Sequence, residues 1–269
     1  MDLRAIAKAA LPPLAQDLLR RLVDQTLPRR RRALANSSAH RIERNLLAAK
    51  ISPDGVVLAG PFEGLRLSRE TSWGSAAPYL LGTYEQELQP WIEMALETRP
   101  SVVVDIGAAE GYYAVGLARL LPDAVIYAFD IDPQAQRASR CTARLNGVTN
   151  VRVRGRIDTS ALQRVLVPGS LVISDCEGFE RQVLDPDLVP ALRNALVIVE
   201  LHDFLDSSIS TIITSRFERT HAVQMIDQIK RPRAKASQLG HLTPSEWVTA
   251  VDEDRPDSSS MQWAVLIPH

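Results

Sequence analysis

The stretch Val102-Val-Val-Asp-Ile-Gly-Ala-Ala-Glu-Gly-Tyr-Tyr-Ala-Val-Gly-Leu-Ala118 decides how this chain is read. Val102 to Val104 form a short β-branched run, the pattern of a strand buried on both faces. Gly107, Ala108, Ala109 and Gly111 then leave a loop with almost no side-chain bulk, so a ligand can lie directly on its backbone. A helix follows from Gly111. Twenty-five residues after Asp105, Asp130 stands at the end of a second apolar run, Val125-Ile-Tyr-Ala-Phe129. An acid at that place suits the two hydroxyls of a ribose. Together these features describe a nucleoside pocket at the carboxyl edge of a parallel sheet.

The loop also says which nucleoside. A dinucleotide site wants Gly-x-Gly-x-x-Gly, with bare amides at the helix start for a pyrophosphate. Here the loop runs Gly107-Ala-Ala-Glu-Gly111, without the middle glycine, and Glu110 brings a negative charge to where phosphates would sit. NAD and FAD are disfavoured on electrostatic grounds. S-adenosylmethionine has no phosphate and carries an ammonium and a sulfonium, which Asp105 and Glu110 would attract. The expected cofactor contacts are therefore Asp105, Gly107, Ala108, Glu110 and Gly111 at the methionine end and Asp130 at the ribose. Asp158, after the third strand, is a candidate for the adenine amine or for a helix cap. Tyr84 and Glu85 precede the first core strand, where a helix can fold back over the cofactor as a lid.

The chain has 269 residues, 45% of them hydrophobic, enough for one large domain with a sizeable core. Its net charge of −1 speaks against bulk electrostatic binding of nucleic acid. The charge is uneven: residues 1–60 carry 11 Lys/Arg against 5 Asp/Glu, or +6, and the remainder carries 20 against 27, or −7. Arg29 to Arg32 form a basic cluster, read as a solvated face or linker before a membrane-surface or partner contact. Two cysteines, Cys141 and Cys176, give no disulfide framework and fit a reducing compartment. There is no run of 18 apolar residues for a transmembrane helix, and Pro12, Pro13, Gln16 and Asp17 interrupt any signal core. A cytoplasmic protein is the expectation.

The organisation follows from periodicity. Residues 1–50 read as a helical, basic N-terminal extension. Leu3, Ile6, Ala10, Leu14, Leu18 and Leu22 fall at helical spacing, broken by Pro12-Pro13. Such helices are the expected place for a homo-oligomer contact. Residues 51–98 read as a lead-in, with turns at Pro53-Asp-Gly55 and Gly60-Pro61 between short strands, then one helix over 82–96. Residues 99–269 form the main domain, where strands and helices alternate as in a doubly wound α/β fold. Strands are expected near 102–105, 125–129, 151–154, 170–175, 195–201, 221–226 and 261–267. Helices are expected near 111–121, 133–145, 159–166, 178–184 and 208–217. The polar stretch 228–260 shows no obvious crossover helix, so the last strand should return antiparallel.

A second dense signal is Leu171-Val-Ile-Ser-Asp-Cys-Glu-Gly-Phe-Glu180. An apolar strand ends in Asp175, and Glu177, Gly178 and Glu180 open the next helix. Strand carboxyl ends are where open α/β sheets bind ligands, so Asp175 should face the crevice of Asp105 and Asp130. The next strand, Ala195-Leu-Val-Ile-Val-Glu-Leu-His-Asp203, ends in Glu200, His202 and Asp203. Several acids at one crevice are costly unless cations or hydrogen bonds answer them. His202 and Asp175 are candidate bases, with Glu177 or Asp203 orienting an acceptor. Alternatively Asp175, Glu177, His202 and Asp203 could bind Mg²⁺ and lower the pKa of an acceptor hydroxyl.

These residues also carry a resemblance. Asp105-Ile-Gly-Ala-Ala-Glu-Gly-Tyr-Tyr, Ala128-Phe-Asp-Ile-Asp-Pro, Asp175-Cys-Glu-Gly-Phe-Glu and Val199-Glu-Leu-His resemble the FkbM-type S-adenosylmethionine-dependent methyltransferases. The resemblance spans about residues 100–205 and the closing strand. It implies a Rossmann-like seven-stranded sheet and O-methylation of a sugar or natural-product hydroxyl. The usual Glu-Pro pair after the second strand is Asp130-Ile131 here, and the arginine-rich extension matches nothing in the pattern. A protein or RNA acceptor, and a non-catalytic scaffold on the same fold, are the rival readings. The N-terminus lacks the interleaved aromatics that stack on RNA bases.

Overall fold

In the computed structural model, residues 38–69, 75–229, 231, 241–253 and 262–269 are described. The chain divides into two compact units, Met1–Ile42 and Glu43–His269. The helical spacing from Leu3 to Leu22 and the Arg29–Arg32 cluster lie outside the described residues.

The second unit is built on one seven-stranded sheet. In chain order its strands are β1 (Val102–Ile106), β2 (Val125–Phe129), β3 (Val151–Arg154), β4 (Leu171–Ser174), β5 (Leu196–Leu201), β6 (His221–Asp227) and β7 (Gln262–Pro268). They lie in the order β3-β2-β1-β4-β5-β7-β6. The first five are parallel, and β7 runs antiparallel between β5 and β6. The fold is therefore α/β and doubly wound, with an antiparallel last strand, as the apolar runs imply. The strand order turns back at β1, with β2 on one side and β4 on the other, which places the switch point beside Gly107.

The helices are α1 (Ser38–Ile51), α2 (Ala77–Leu81), α3 (Gln89–Glu97), α4 (Tyr112–Leu120), α5 (Pro133–Leu145), α6 (Thr159–Val165), α7 (Glu180–Val183), α8 (Ile209–Phe217) and α9 (Pro244–Ala250). Local chemistry explains the ends of several. Asp132 caps α5 by accepting from Gln134 N, with Pro133 just inside. Asp158 caps α6 in the same way, through Ala161 N. Two apolar layers sandwich the sheet. One gathers Phe62, Leu65, Leu88, Ile92, Val103, Leu117, Ile126, Ile173, Ile198 and Trp263. The other gathers Val104, Ile106, Leu162, Val172, Leu184, Val197, Ile213 and Leu266. Among the described residues no helix is long and apolar enough to cross a membrane.

Three expectations change. The single helix over 82–96 is instead a 3-10 turn at Gln86–Leu88 followed by α3, and a separate short helix, α2, precedes it. Gly82, in the left-handed region, closes α2, and Glu85 at φ 43° makes a second break. Short strands over 51–67 reduce to one antiparallel bridge, Val56 with Arg66. The connection between β6 and β7 does contain a helix, α9. Thr243 and Glu246 cap it reciprocally, and Pro244 stands at its first turn.

Gly116 in α4 packs against the buried ring of Phe62. A Cβ there would meet that ring at 2.5 Å. Gly116→Ala should therefore lower stability by about 1–3 kcal/mol despite the better helix propensity of alanine. Urea unfolding followed by circular dichroism measures this; an unchanged or higher midpoint would show that the Phe62 ring has room to yield.

Candidate active site at the strand carboxyl ends

The loop after β1 is held against β2 and β4 by backbone contacts. Gly107 N and Ala108 N both donate to Phe129 O, at 2.8 and 3.0 Å, and Asp175 N donates to Ile106 O at 2.9 Å. Gly107 sits at φ 89°, and a Cβ on it would lie 1.7 Å from the Asp175 carbonyl oxygen. No other residue fits this position. Gly111, at φ 85°, then turns the chain into α4. The glycines at 107 and 111 thus serve a close approach of protein to protein, Gly107 to the Asp175 backbone and Gly111 to Ser139, where the sequence pattern implied the approach of a ligand.

Asp130 is fixed by the same loop. Its Oδ2 accepts from Ala109 N at 2.9 Å and its Oδ1 from Asp132 N at 2.8 Å. Each oxygen keeps a further lone pair for a hydroxyl. Asp105 is a different case. It is buried at the end of β1, and its Oδ2 has no hydrogen-bond partner among the described residues. Burial pushes its carboxyl up to about 8, against the pull of the Ala114 N–H and with help from the charges of Asp175 and Asp130. A buried, unanswered carboxylate at a crevice calls for a cation.

Glu110 lies beside a small cavity lined by Leu67, Ser68, Ala76, Tyr79 and Tyr112. Tyr84 packs against Tyr79 with the rings tilted by 31° and their centroids 4.0 Å apart, in an aromatic cluster with Tyr112 and Tyr113. Glu85 is buried and accepts from the Tyr113 hydroxyl at 2.5 Å. Next to it, Arg231 pairs with Glu87 and Glu253, tying the β6–β7 connection to the 3-10 turn. Tyr84 and Glu85 are therefore packed at the N-terminal end of α4, on the β1 side of the crevice. Asp158 stands apart, its Oδ1 spent on the α6 cap.

The second cluster gathers on β4 and β5. His202 is buried, with only 1% of its side chain exposed. Its Nε2 lies 3.4 Å from Asp175 Oδ1, 3.4 Å from Glu200 Oε2 and 3.8 Å from Glu177 Oε2. Its Nδ1 lies 2.8 Å from Oε1 of the fully buried Glu180, a contact bent away from the direction of the ring N–H. Glu180 in turn accepts from Cys176 N and Gly178 N at 3.1 and 3.3 Å. Glu177 and Gly178, at φ 57° and 93°, fold the Asp175–Glu180 loop around that carboxylate. Burial alone would pull the His202 imidazole down, but Asp175, Glu180 and Glu200 outweigh it and hold the ring well above its usual value.

Asp175, Glu177 and His202 thus come together as the sequence implies. Asp203 does not join them. Its Oδ1 accepts from Ser210 N at 2.9 Å and holds the start of α8. The set Asp175, Glu177, His202 and Asp203 is corrected on this point: Glu200 takes the place of Asp203. Strand alternation explains it, since Glu200 and His202 are two residues apart and share a face of β5's extension, whereas Asp203 is one further on. That spacing was the available signal for Glu200. The inward turn of Glu180 had none.

No family model matches the sequence, and no curated protein matches it. Among solved structures the chain is similar to a human methyltransferase 10 domain containing protein, at 12% identity and TM-score 0.48, over 82% of this chain and 97% of that one. It is similar to the O-methyltransferase TomG from Streptomyces achromogenes, involved in tomaymycin synthesis and solved with SAM, at 14% identity and TM-score 0.46, over 71% and 83%. It is also similar to an rRNA methylase from Streptococcus thermophilus, at 12% identity and TM-score 0.46, over 68% and 96%. Likeness of this degree carries no functional argument, and the chemistry of the site has to.

The raised Asp105 carboxyl has a thermodynamic signature. An acid that ionises near 4 when unfolded and near 8 when folded must take up a proton on folding throughout that interval. Its penalty grows as pH rises through the interval and is constant above it. The stability of Asp105→Asn relative to wild type should therefore climb between about pH 4 and pH 8 and then level off. Urea midpoints of both proteins across that range measure it, and a pH-independent difference would show that Asp105 titrates normally.

Proposed function

We propose that this protein is an S-adenosylmethionine-dependent methyltransferase of the FkbM type, acting on a hydroxyl of a sugar or natural-product small molecule. The observation that carries the reading is Asp105, a buried carboxylate with an unanswered oxygen beneath a loop of small residues. It asks for a cation without a phosphate, and the methionine end of S-adenosylmethionine offers an ammonium and a sulfonium. Gly107 and Gly111 draw the loop tight against Asp175 and Ser139, Ala108 and Ala109 add little bulk to its outer side, and Glu110 adds charge of the same sign as Asp105. Asp130, already oriented by Ala109 N and Asp132 N, is assigned to the ribose hydroxyls. Tyr84 and Glu85 are assigned to the wall above the cofactor, and Asp158 to the α6 cap with the adenine amine as a further contact.

S-adenosylmethionine supplies a methyl group already activated on sulfur, so the enzyme's work is alignment and removal of the acceptor's proton. Asp175, Glu177 and His202 stand at the ends of β4 and β5, next to the Gly107 loop, where an acceptor can meet the methyl group. The carboxylates of Asp175 and Glu177 are partly exposed and can accept the acceptor's hydroxyl hydrogen bond, which orients its oxygen. Asp175 adjoins the cofactor loop through its own backbone, so the acceptor is fixed relative to the donor by one rigid element.

Calorimetric titration with S-adenosylmethionine should show binding by wild type and roughly 10- to 150-fold weaker binding by Asp130→Ala, the equivalent of about 1.5–3 kcal/mol for a charge-assisted hydrogen bond. Absence of binding by wild type overturns the function, and equal affinities overturn the ribose assignment.

The acceptor class is tested separately. Incubation with methyl-labelled S-adenosylmethionine and a panel of free and conjugated sugars should label a small molecule, and Asp175→Asn should slow that labelling by about 100-fold or more. Label confined to a protein or RNA fraction would replace the acceptor class.

A further inference from the structure

We infer that Asp175, Glu200 and His202 form a binding site for a divalent cation, of the kind that takes mixed carboxylate and imidazole ligands, such as Mn²⁺. One atom from each residue lies within 4.8 Å of the other two. That spacing leaves a point between them that a single ion can reach. Two of the donors come from the end of β5 and one from the end of β4, which are hydrogen-bonded neighbours in the sheet. The frame of the site is therefore as rigid as the sheet itself. Two carboxylate oxygens and one imidazole nitrogen form a donor set on which Mn²⁺ and Mg²⁺ differ, since the nitrogen favours the transition ion.

A second observation points the same way. The ring of His202 has two different sides. Its Nδ1 lies 2.8 Å from Glu180, a carboxylate with no exposed surface, off the direction of the ring N–H, so that a small rotation of the ring completes the bond. Its Nε2 is turned to Asp175 and Glu200, at 3.4 Å from each. A metal-binding histidine is commonly oriented this way, with a carboxylate behind it and the metal in front. An ion at Nε2 takes the place of a proton there. Glu180 is well suited to the rear position, because Cys176 N and Gly178 N hold its Oε1 and its Oε2 has no partner among the described residues. Access is available from one side only. Asp175 and Glu177 have 31% and 40% of their side chains exposed, whereas Glu200 and His202 have 3% and 1%. An ion enters past Glu177, which is placed to supply a further oxygen or hold a bound water. Asp203 has no part in the site, since its carboxylate holds Ser210 N.

The site stands on this geometry and not on the methyl-transfer reading, and the test contains no S-adenosylmethionine, so the two fail separately. The full-length chain, freed of metal with a chelator and dialysed, is titrated with Mn²⁺ while free Mn²⁺ is followed by electron paramagnetic resonance. One Mn²⁺ per chain should disappear from the free signal, and Mg²⁺ should displace it only in large excess. Asp175→Asn and Glu200→Gln should each weaken binding at least about tenfold, and Glu180→Gln by roughly 10- to 100-fold through loss of the support behind His202. Asp203→Asn should bind as wild type does. Circular dichroism confirms that each variant is folded, and Asp175→Asn, at a partly exposed position, keeps the test valid if a buried variant is not. Undiminished free Mn²⁺ with folded wild type, or wild-type affinity in folded Asp175→Asn, overturns the inference.

Discussion

The rest of the structure depends on the approach of the β1 loop to the end of β4. Gly107 stands where a single Cβ would overlap the Asp175 carbonyl. The two backbones can close on each other because nothing projects between them. Phe129 O and Ile106 O collect the amides of that junction, so β2, β1 and β4 share one hydrogen-bonded corner. Through this corner the loop, Asp130 and Asp175 are placed by the same few backbone contacts. A cofactor pocket on one side and the His202 cluster on the other are therefore parts of one rigid construction.

Acids are gathered at this corner in a way that opposes folding. Asp105 has been taken out of water without a full set of partners, and its carboxyl rises accordingly. Glu180 and His202 are both almost without solvent contact, and each has an atom with incomplete hydrogen bonding. Buried groups of this kind are retained where a ligand completes them, and the energy withheld from folding is available to binding. The left-handed conformation of Glu177 belongs to the same economy, since it turns the loop so that Glu180 faces inward.

Much of this was legible because the relevant signals are local. Unbroken apolar runs bounded by small or polar residues marked β1, β2, β4, β5 and β7, as strands inside a covered sheet need, whereas the edge strands β3 and β6 mix polar and apolar residues. The acids at the ends of β1, β2 and β4 followed from the position of strand ends alone. The same local reasoning missed α9, although Thr243-Pro-Ser-Glu246 carries a capping box, because the surrounding prolines and charges read as loop. It began the lead-in helix at Gly82 and so missed α2, and it merged the 3-10 turn with α3, because the left-handed Glu85 is not a residue whose sequence announces that conformation.

The sequence by itself determined the fold class, the order of strands along the chain and the run of acids along the carboxyl edge of the sheet; the antiparallel return of β7 was expected from the absence of a helix that the structure does contain. Strand and helix periods and the steric needs of a tight turn are properties of neighbouring residues. Tertiary structure alone decided which of those acids meet. Asp203 and Glu200 are both near His202 in the chain, but only Glu200 lies on its face of the strand, and Asp203 turns away to Ser210. Glu180 reaches His202 because a left-handed turn folds it under the β5 end, and one oxygen of Asp105 lacks a partner because the carboxyl is buried at the end of β1 between β2 and β4. The spacing of Glu200 and His202 along the strand was a local signal, but the positions of Glu180 and Asp105 rest on how separate elements pack, which no spacing along the chain encodes.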